Sequence, residues 1–204
     1  MNNIADYKWD LHGKPDCFNF YQRHLIQEII KLKPKKILDI GSGNGYFCNI
    51  LKKYCDRIDG IEPSLRGYEI SKKEYSDLNF YNKSCYDNPE DFKNNYDLVI
   101  STEVIEHLYY PSKLIQFARE CIKDKGYLII TTPYHGYLKN LAISIINGWD
   151  KHFTVDRDGG HIKFWSIKTL NNLLEINNFK VIKNNGVGRL PYLWKGLITL
   201  AKKN

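Results

Sequence analysis

The chain has 204 residues, 43% of them hydrophobic and 14% aromatic, with 30 Lys+Arg against 23 Asp+Glu for a formal net charge of +7. That supplies one well-cored α/β domain and too little for two comfortable ones, so a single domain over residues 1–204 is expected, and the composition argues against disorder beyond the ends. The lysines are scattered among asparagines rather than gathered into a run, as on a solvated surface; nucleic acid is allowed but not indicated.

Residues 16–33 carry apolar side chains near helical spacing, ended by Pro34, and predict a helix ahead of the first strand. Ile37 to Ile40 alternate as a short buried strand. A cluster of Gly41, Gly43 and Gly45 then breaks into the helical pattern that begins at Tyr46. Glycine tolerates positive φ and lets a ligand lie close to the backbone, and a helix start offers unpaired N–H groups. The second strand runs through Arg57–Ile61 to the acidic residue Glu62, and Pro63-Ser64 opens a helix to about Tyr75. An acidic residue at that strand tip can accept hydrogen bonds from both hydroxyls of an adenosine ribose.

Strands follow at 79–83 and 97–101, the latter a nearly continuous apolar run of the kind found in the middle of a parallel sheet. A helix is expected over 111–121 and a fifth strand over 126–132. Residues 133–162 interrupt the alternation as an insertion. Its Leu138, Leu141, Ile145 and Trp149 form an apolar stripe at helical spacing, with Lys139 elsewhere; the stripe suits a lid, a membrane-surface contact or ordinary core. A helix over 166–178, capped by Ser166, and two strands at 179–184 and 197–202 complete the chain. The expected fold is α/β: a Rossmann-like doubly wound sheet of five parallel strands plus a terminal antiparallel pair, with helices on both faces. Five cysteines without a CxxC pair suggest neither a zinc knuckle nor a disulfide framework and fit a reducing cytoplasm. Met1–Asp10 lacks the apolar core of a signal peptide, and no window reaches the roughly 18 apolar residues of a membrane span, so a cytoplasmic location is expected.

Three segments together, ILDIGSGNG at 37–45, GIEPS at 60–64 and YDLVISTEVIEHL at 96–108, resemble the class I S-adenosylmethionine-dependent methyltransferases over nearly the whole chain. The third segment and the TTP at 131–133 are similar to the ubiquinone-biosynthesis O-methyltransferases and their small relatives. The resemblance implies S-adenosylmethionine as cofactor. Asp39 would face its methionine portion, with Gly41, Ser42, Gly43 and Gly45 against it. Glu62 and Pro63 would lie at the ribose, Ser84 and Cys85 at the adenine, and Thr102 and Glu103 over the methionine end. Ser84 stands where the family usually has aspartate.

Methyl transfer is an in-line displacement, so the protein must align acceptor and donor and exclude water. A hydroxyl acceptor also needs its proton removed or weakened, and His107, His161 and Glu103 are the candidate catalytic residues. The ExxEH pattern of Glu103, Glu106 and His107, expected on an emerging helix, also resembles the metal-binding part of small-RNA 2′-O-methyltransferases, with His161 four residues before Trp165 as a further ligand; a divalent metal at these four residues is therefore a possible second cofactor. The leading expectation is O-methylation of a small molecule. Alternatives are metal-assisted RNA 2′-O-methylation, a non-catalytic adenosine-ligand binder and a nicotinamide dehydrogenase. Tyr134, Trp149, Phe153, Phe164 and Trp165 are the expected aromatic acceptor site. His12, His24, His135 and His152 are read as surface or core histidines, His152 as the most pocket-like. The oligomeric state is not legible.

Overall fold

The computed structural model describes residues 13–153 and 155–204. His12 and the segment read for a leader lie outside them. Seven strands form one sheet in the order β3-β2-β1-β4-β5-β7-β6. The parallel strands are β1 (Lys36–Ile40), β2 (Arg57–Ile61), β3 (Asn79–Tyr81), β4 (Tyr96–Thr102) and β5 (Ile122–Pro133). β6 (Phe179–Val187) and β7 (Gly196–Lys203) add the antiparallel pair, with β7 inserted between β5 and β6. The expected doubly wound sheet is therefore observed.

The apolar runs are explained by burial on both faces. Ile37, Leu98, Ile100 and Ile129 pack on one side with α1 (Phe18–Leu32) and α2 (Tyr46–Leu51). Their neighbours Leu38, Ile40, Val99, Leu128 and Ile130 pack on the other, under α4 (Pro111–Cys121) and α7 (Ile167–Ile176). A strand covered twice has no polar face to alternate with. α1 is tied to the end of β5 by the Tyr21 hydroxyl, which donates to the Thr132 carbonyl at 2.9 Å. Ser166 caps α7 through a capping box with Thr169, as its position implied.

Two local expectations need correction, and one of the readings left open for the insertion is ruled out. β5 begins at Ile122, which pairs with Tyr96 ahead of a register shift, so Gly126 lies within the strand and not at its start. A Cβ there would stand 2.6 Å from Ile122 Cγ2 and 2.9 Å from the Asp97 carbonyl. The emerging helix expected at Glu103–His107 is instead a kink, with Glu103 at φ 56°, followed by a single 3-10 turn over Ile105–His107. The apolar stripe of the insertion is not core. In α5 (Tyr137–Ile145) the buried residues are Lys139 and Ile143, while Leu138, Leu141 and Ile145 face outward and Ile145 is 75% exposed. α6 (Trp149–Phe153) follows and leaves Trp149 exposed as well.

Gly45 shows what one glycine contributes to this framework. It starts α2 at φ 78°, and a Cβ there would fall within 2.8–2.9 Å of Phe80, Ser71 and Tyr75. Its smallness lets β3 and α3 (Leu65–Glu74) approach the start of α2. Gly45→Ala combines a left-handed φ with this overlap and is expected to cost about 1–3 kcal/mol. Urea denaturation checks this; an unchanged midpoint would contradict it.

Candidate active site

The sheet order reverses direction between β1 and β4, and a crevice opens at such a switch point beyond the carboxyl ends of the strands. The glycine turn after β1 and the kink after β4 form its two banks. Gly41 and Gly43 hold φ values of 78° and 56°. A Cβ on Gly41 would meet Val104 Cγ2 at 2.4 Å, so the banks touch there only because Gly41 has no side chain. Glu62 is buried at the tip of β2 and bridges the neighbouring turns: Gly43 N–H donates to Oε2 at 2.8 Å and Ser64 N–H to Oε1 at 2.9 Å.

Two buried aspartates make an informative contrast. Asp59, in the middle of β2, is fully buried and well supplied: Arg57 Nε donates at 2.9 Å, the Tyr96 hydroxyl at 2.6 Å and the Asn79 amide at 3.0 Å. Asp39 is 3% exposed, receives only the weak Cys48 thiol donor at 3.4 Å, and leaves Oδ1 without a partner. Burial, reinforced by the nearby Glu62, pushes its pKa up to about 7 against the thiol's opposing pull. Ser42 Oγ and Thr102 Oγ1 are likewise buried without partners. Such groups sit at the edge of a switch-point crevice at a cost of about 1–3 kcal/mol each, which a polar ligand would recover. Ser84 and Cys85 are buried beyond β3, where Asp87 Oδ2 accepts from Ser84 N–H at 2.7 Å and the Ser84 hydroxyl accepts from Tyr86 N–H at 3.2 Å. Pro63 lies between Glu62 and Ser64, and its carbonyl accepts from the Asn82 amide at 3.1 Å.

The second cluster lies past β4. The strap 159–163 is laced to the 3-10 turn: Ile162 and Lys163 N–H both donate to the Glu106 carbonyl, at 2.9 and 3.0 Å. His107 Nδ1 stands 3.0 Å from the Gly159 carbonyl and 3.2 Å from that of Gly160. A carbonyl only accepts, so Nδ1 carries the proton and Nε2 presents a lone pair. Glu106 is fully buried; its Oε2 accepts from the Thr132 hydroxyl at 3.1 Å and its Oε1 has no hydrogen-bond partner, with His161 Nε2 4.0 Å away. Glu106, His107 and His161 can each direct one ligand atom into a group spanning no more than 4.8 Å. Burial drives the Glu106 carboxyl pKa well up, with the Glu103 charge second, and holds His161 down at about 4.

Glu103 does not join this cluster, contrary to the four-ligand expectation. The kink at φ 56° turns its carboxyl to the Thr131 hydroxyl, which donates at 3.3 Å, and burial lifts its pKa to about 7.

A third feature has a basic lining that sequence reading missed. A cavity of about 360 Å³ adjoins the metal-type cluster, and His107 and His161 line it together with His135 and His152, walls from Phe153 and Phe164, and the cations Lys139, Arg157, Arg189 and Lys195. Of the five aromatics expected at the acceptor site, Phe153 and Phe164 line this cavity; Tyr134 and Trp165 are buried in the core, and Trp149 stacks on Phe153 with ring centroids 4.7 Å apart without lining the cavity itself. His152 lines the cavity, as expected of it; His135 does too, and His24 is exposed.

With this geometry in place, comparison with known proteins is decisive for the family. The family described as "Methyltransferase domain" matches residues 16–184. The chain belongs to this methyltransferase-domain family. The ubiquinone biosynthesis O-methyltransferase of Hydrogenovibrio crunogenus is 25% identical over 144 residues, covering 67% of this chain and 60% of that protein. The protein of the same name in Coxiella burnetii is 30% identical over 139 residues, covering 65% of this chain and 59% of its own length. The chain thus spans about three fifths of these relatives' length. Among solved structures, the YcgJ protein of Bacillus subtilis aligns with a TM-score of 0.70 at 13% identity, covering 89% of this chain and 99% of that one. A SAM-dependent methyltransferase from Archaeoglobus fulgidus aligns with a TM-score of 0.67 at 17% identity, covering 90% and 93%. At those identities the structural likeness establishes the fold.

The state of Asp39 is testable without any ligand. Its folded pKa of about 7 exceeds the ordinary 3.8, so the folded chain holds a proton that the unfolded chain has released between those values, and stability from this group falls as pH rises through the window. The buried histidines act in the opposite sense, since His135 is depressed from 6.5 to about 3. Asp39→Asn isolates the first effect. From about pH 5 to pH 8 the variant is expected to gain on the order of 2–4 kcal/mol relative to the unaltered chain in urea unfolding. A difference between the two proteins that does not change with pH would contradict this.

Proposed function

We propose that the chain is an S-adenosylmethionine-dependent methyltransferase acting on a hydroxyl oxygen of a small molecule. The observation that carries the reading is the pair of buried carboxylates at the ends of adjacent parallel strands, Asp39 with an unpartnered oxygen and Glu62 on the turn backbone, flanking glycines at positive φ. An adenosyl ligand with a cationic amino acid tail suits both: its ribose hydroxyls can donate to a carboxylate placed like Glu62, and its ammonium supplies the partner that Asp39 Oδ1 lacks. Gly41, Ser42, Gly43 and Gly45 form the turn under it. Thr102 and Glu103 are assigned to its methionine end, Pro63, Ser84 and Cys85 to the ribose and adenine side. When bound, S-adenosylmethionine supplies an activated methyl group on a sulfonium.

The chain's own work is alignment, exclusion of water and handling of the acceptor proton. His107 is fixed by Gly159 and Gly160 with a lone pair on Nε2, and His161 is neutral near pH 7 by virtue of burial, so either can accept that proton. The same two rings and the unpartnered Glu106 Oε1 fit a divalent cation, which when bound would lower the pKa of an acceptor hydroxyl; Glu103 is left outside that set. The ubiquinone-biosynthesis relatives support oxygen as the methylated atom. The outward apolar side of α5 beside the cavity supports contact with an apolar partner or a bilayer surface, while no helix among the described residues is long and apolar enough to cross a membrane.

Titration calorimetry is expected to give micromolar binding of S-adenosylhomocysteine and none of NAD, with at least a tenfold loss in Glu62→Ala. Labelled methyl from S-adenosylmethionine is then followed into phenols, catechols, sugars and a short RNA, with and without chelator. Transfer to a small hydroxyl compound supports the reading. Binding of NAD in place of S-adenosylhomocysteine, or transfer to RNA alone, would contradict it.

A further inference from the structure

The cavity beside the proposed reaction centre has an electrostatic character that the cofactor does not explain. Lys139 lies on the inward side of α5, 5% exposed, and its ammonium has one described hydrogen-bond partner, the neutral Tyr134 carbonyl at 2.6 Å. An ammonium has three protons to place, and a buried one normally finds a carboxylate. Burial, followed by the field of Arg189, lowers its pKa to about 8, and Glu103 pulls in the other direction without forming an ion pair with it. Arg189 and Lys195 reach the same cavity from the β6–β7 connection, and Arg157 from the loop just ahead of the strap. No acidic residue stands among the described residues that line it. His135 cannot balance this charge: burial, then Lys139 and His152, hold it neutral.

A solvated surface also carries unpaired lysines, but there the ammonium is hydrated and costs nothing. Lys139 is different because α5 turns Leu138, Leu141 and Ile145 out to solvent and this cation in beside Ile143, against the usual sense of an amphipathic helix. Phe153 and Phe164, with ring centroids 5.0 Å apart, give the same cavity an apolar wall.

We infer that the cavity anchors the methyl acceptor through an anionic group, a carboxylate or a phosphate, held by Lys139 and Arg189 while the acceptor's apolar body lies on Phe153 and Phe164. The inference rests on the methyltransferase reading and narrows its substrate class to acidic hydroxyl compounds. The bond to Lys139 would replace a single carbonyl contact by a charge-assisted pair, and the exposed Arg189 could close over the anion as a fork.

The test titrates the protein saturated with S-adenosylhomocysteine with 4-hydroxybenzoate, 4-hydroxyphenyl phosphate and phenol at about pH 7. At least one of the two acids is expected to bind ten times or more tighter than phenol, and the stronger acid identifies the anion type. Arg189→Gln, at an exposed position that the fold does not need, is expected to reduce that preference at least threefold, and Lys139→Met to abolish it. Should Lys139→Met fail to fold, the Arg189→Gln result decides. Equal affinity for all three compounds, or a preference untouched by Arg189→Gln, overturns the inference while leaving the cofactor reading standing. Failure of S-adenosylhomocysteine to bind at all would bring down the cofactor reading and this inference together.

Discussion

Burying the Asp39 side chain beside Cys48, with one carboxylate oxygen unpartnered, sets the constraint that the rest of the carboxyl edge answers to. β1 is covered on both faces, so a charge at its end cannot reach water by a small rotation. The same fold satisfies Asp59 amply one strand away, which makes the deficit at Asp39 a local feature and not a general tolerance of buried acids. Stability lost at a site of this kind is recovered when a ligand supplies the absent partner. The glycine turn completes the arrangement: with Gly41 and Gly43 at positive φ, the Gly43 N–H donates to Glu62 while those of Gly41 and Ser42 donate to the Ile61 carbonyl at the end of β2.

The sheet then separates two electrostatic regions along one edge. Carboxylates gather where β1, β2 and β4 end: Asp39, Glu62, Glu103 and Glu106. Cations gather under the insertion, where Lys139, Arg157, Arg189 and Lys195 surround the neighbouring cavity. His107 and His161 stand between the regions, neutral and fixed by the strap. In the proposed reaction a cationic donor meets the acidic side and an anionic acceptor the basic side, so each charge reduces the cost the protein bears by burying its opposite. The polarity of the edge thus orders the two ligands before any contact at the reacting atoms.

How much of this was legible in the sequence follows from the range of the signals. The glycine turn, Asp39 and Glu62 lie within 24 residues of one another, and strand–turn–helix geometry carries them to the same edge. Periodicity located all seven strands because each is bounded by turns or helices, though β5 ran longer than its apolar run because Ile122 pairs across a register shift. Glu103 was misplaced in the metal set because spacing assumes a regular helix, and the chain has a left-handed kink at that residue. The aromatic wall was partly legible, in Phe153 and Phe164, but the basic lining was not: Lys139, Arg157, Arg189 and Lys195 come from a helix, a loop and a strand connection, each unremarkable among the scattered lysines. α5 was read as an apolar stripe, and the stripe exists; which side faces the protein was decided by tertiary packing. One signal could have raised the question, a lysine between apolar neighbours in an otherwise strongly apolar segment.

The central claim is that the buried carboxylate at the end of β1 awaits a cationic ligand, and proton counting tests it most directly. S-adenosylhomocysteine binding is measured by calorimetry at about pH 6.5 in buffers of different ionisation enthalpy, for the unaltered chain and for Asp39→Asn. The account predicts net proton release in the unaltered chain, because an ammonium beside Asp39 favours its ionised form, and a clear reduction of that release in the variant. Binding with no dependence on the buffer, or with the same release in both proteins, would contradict it.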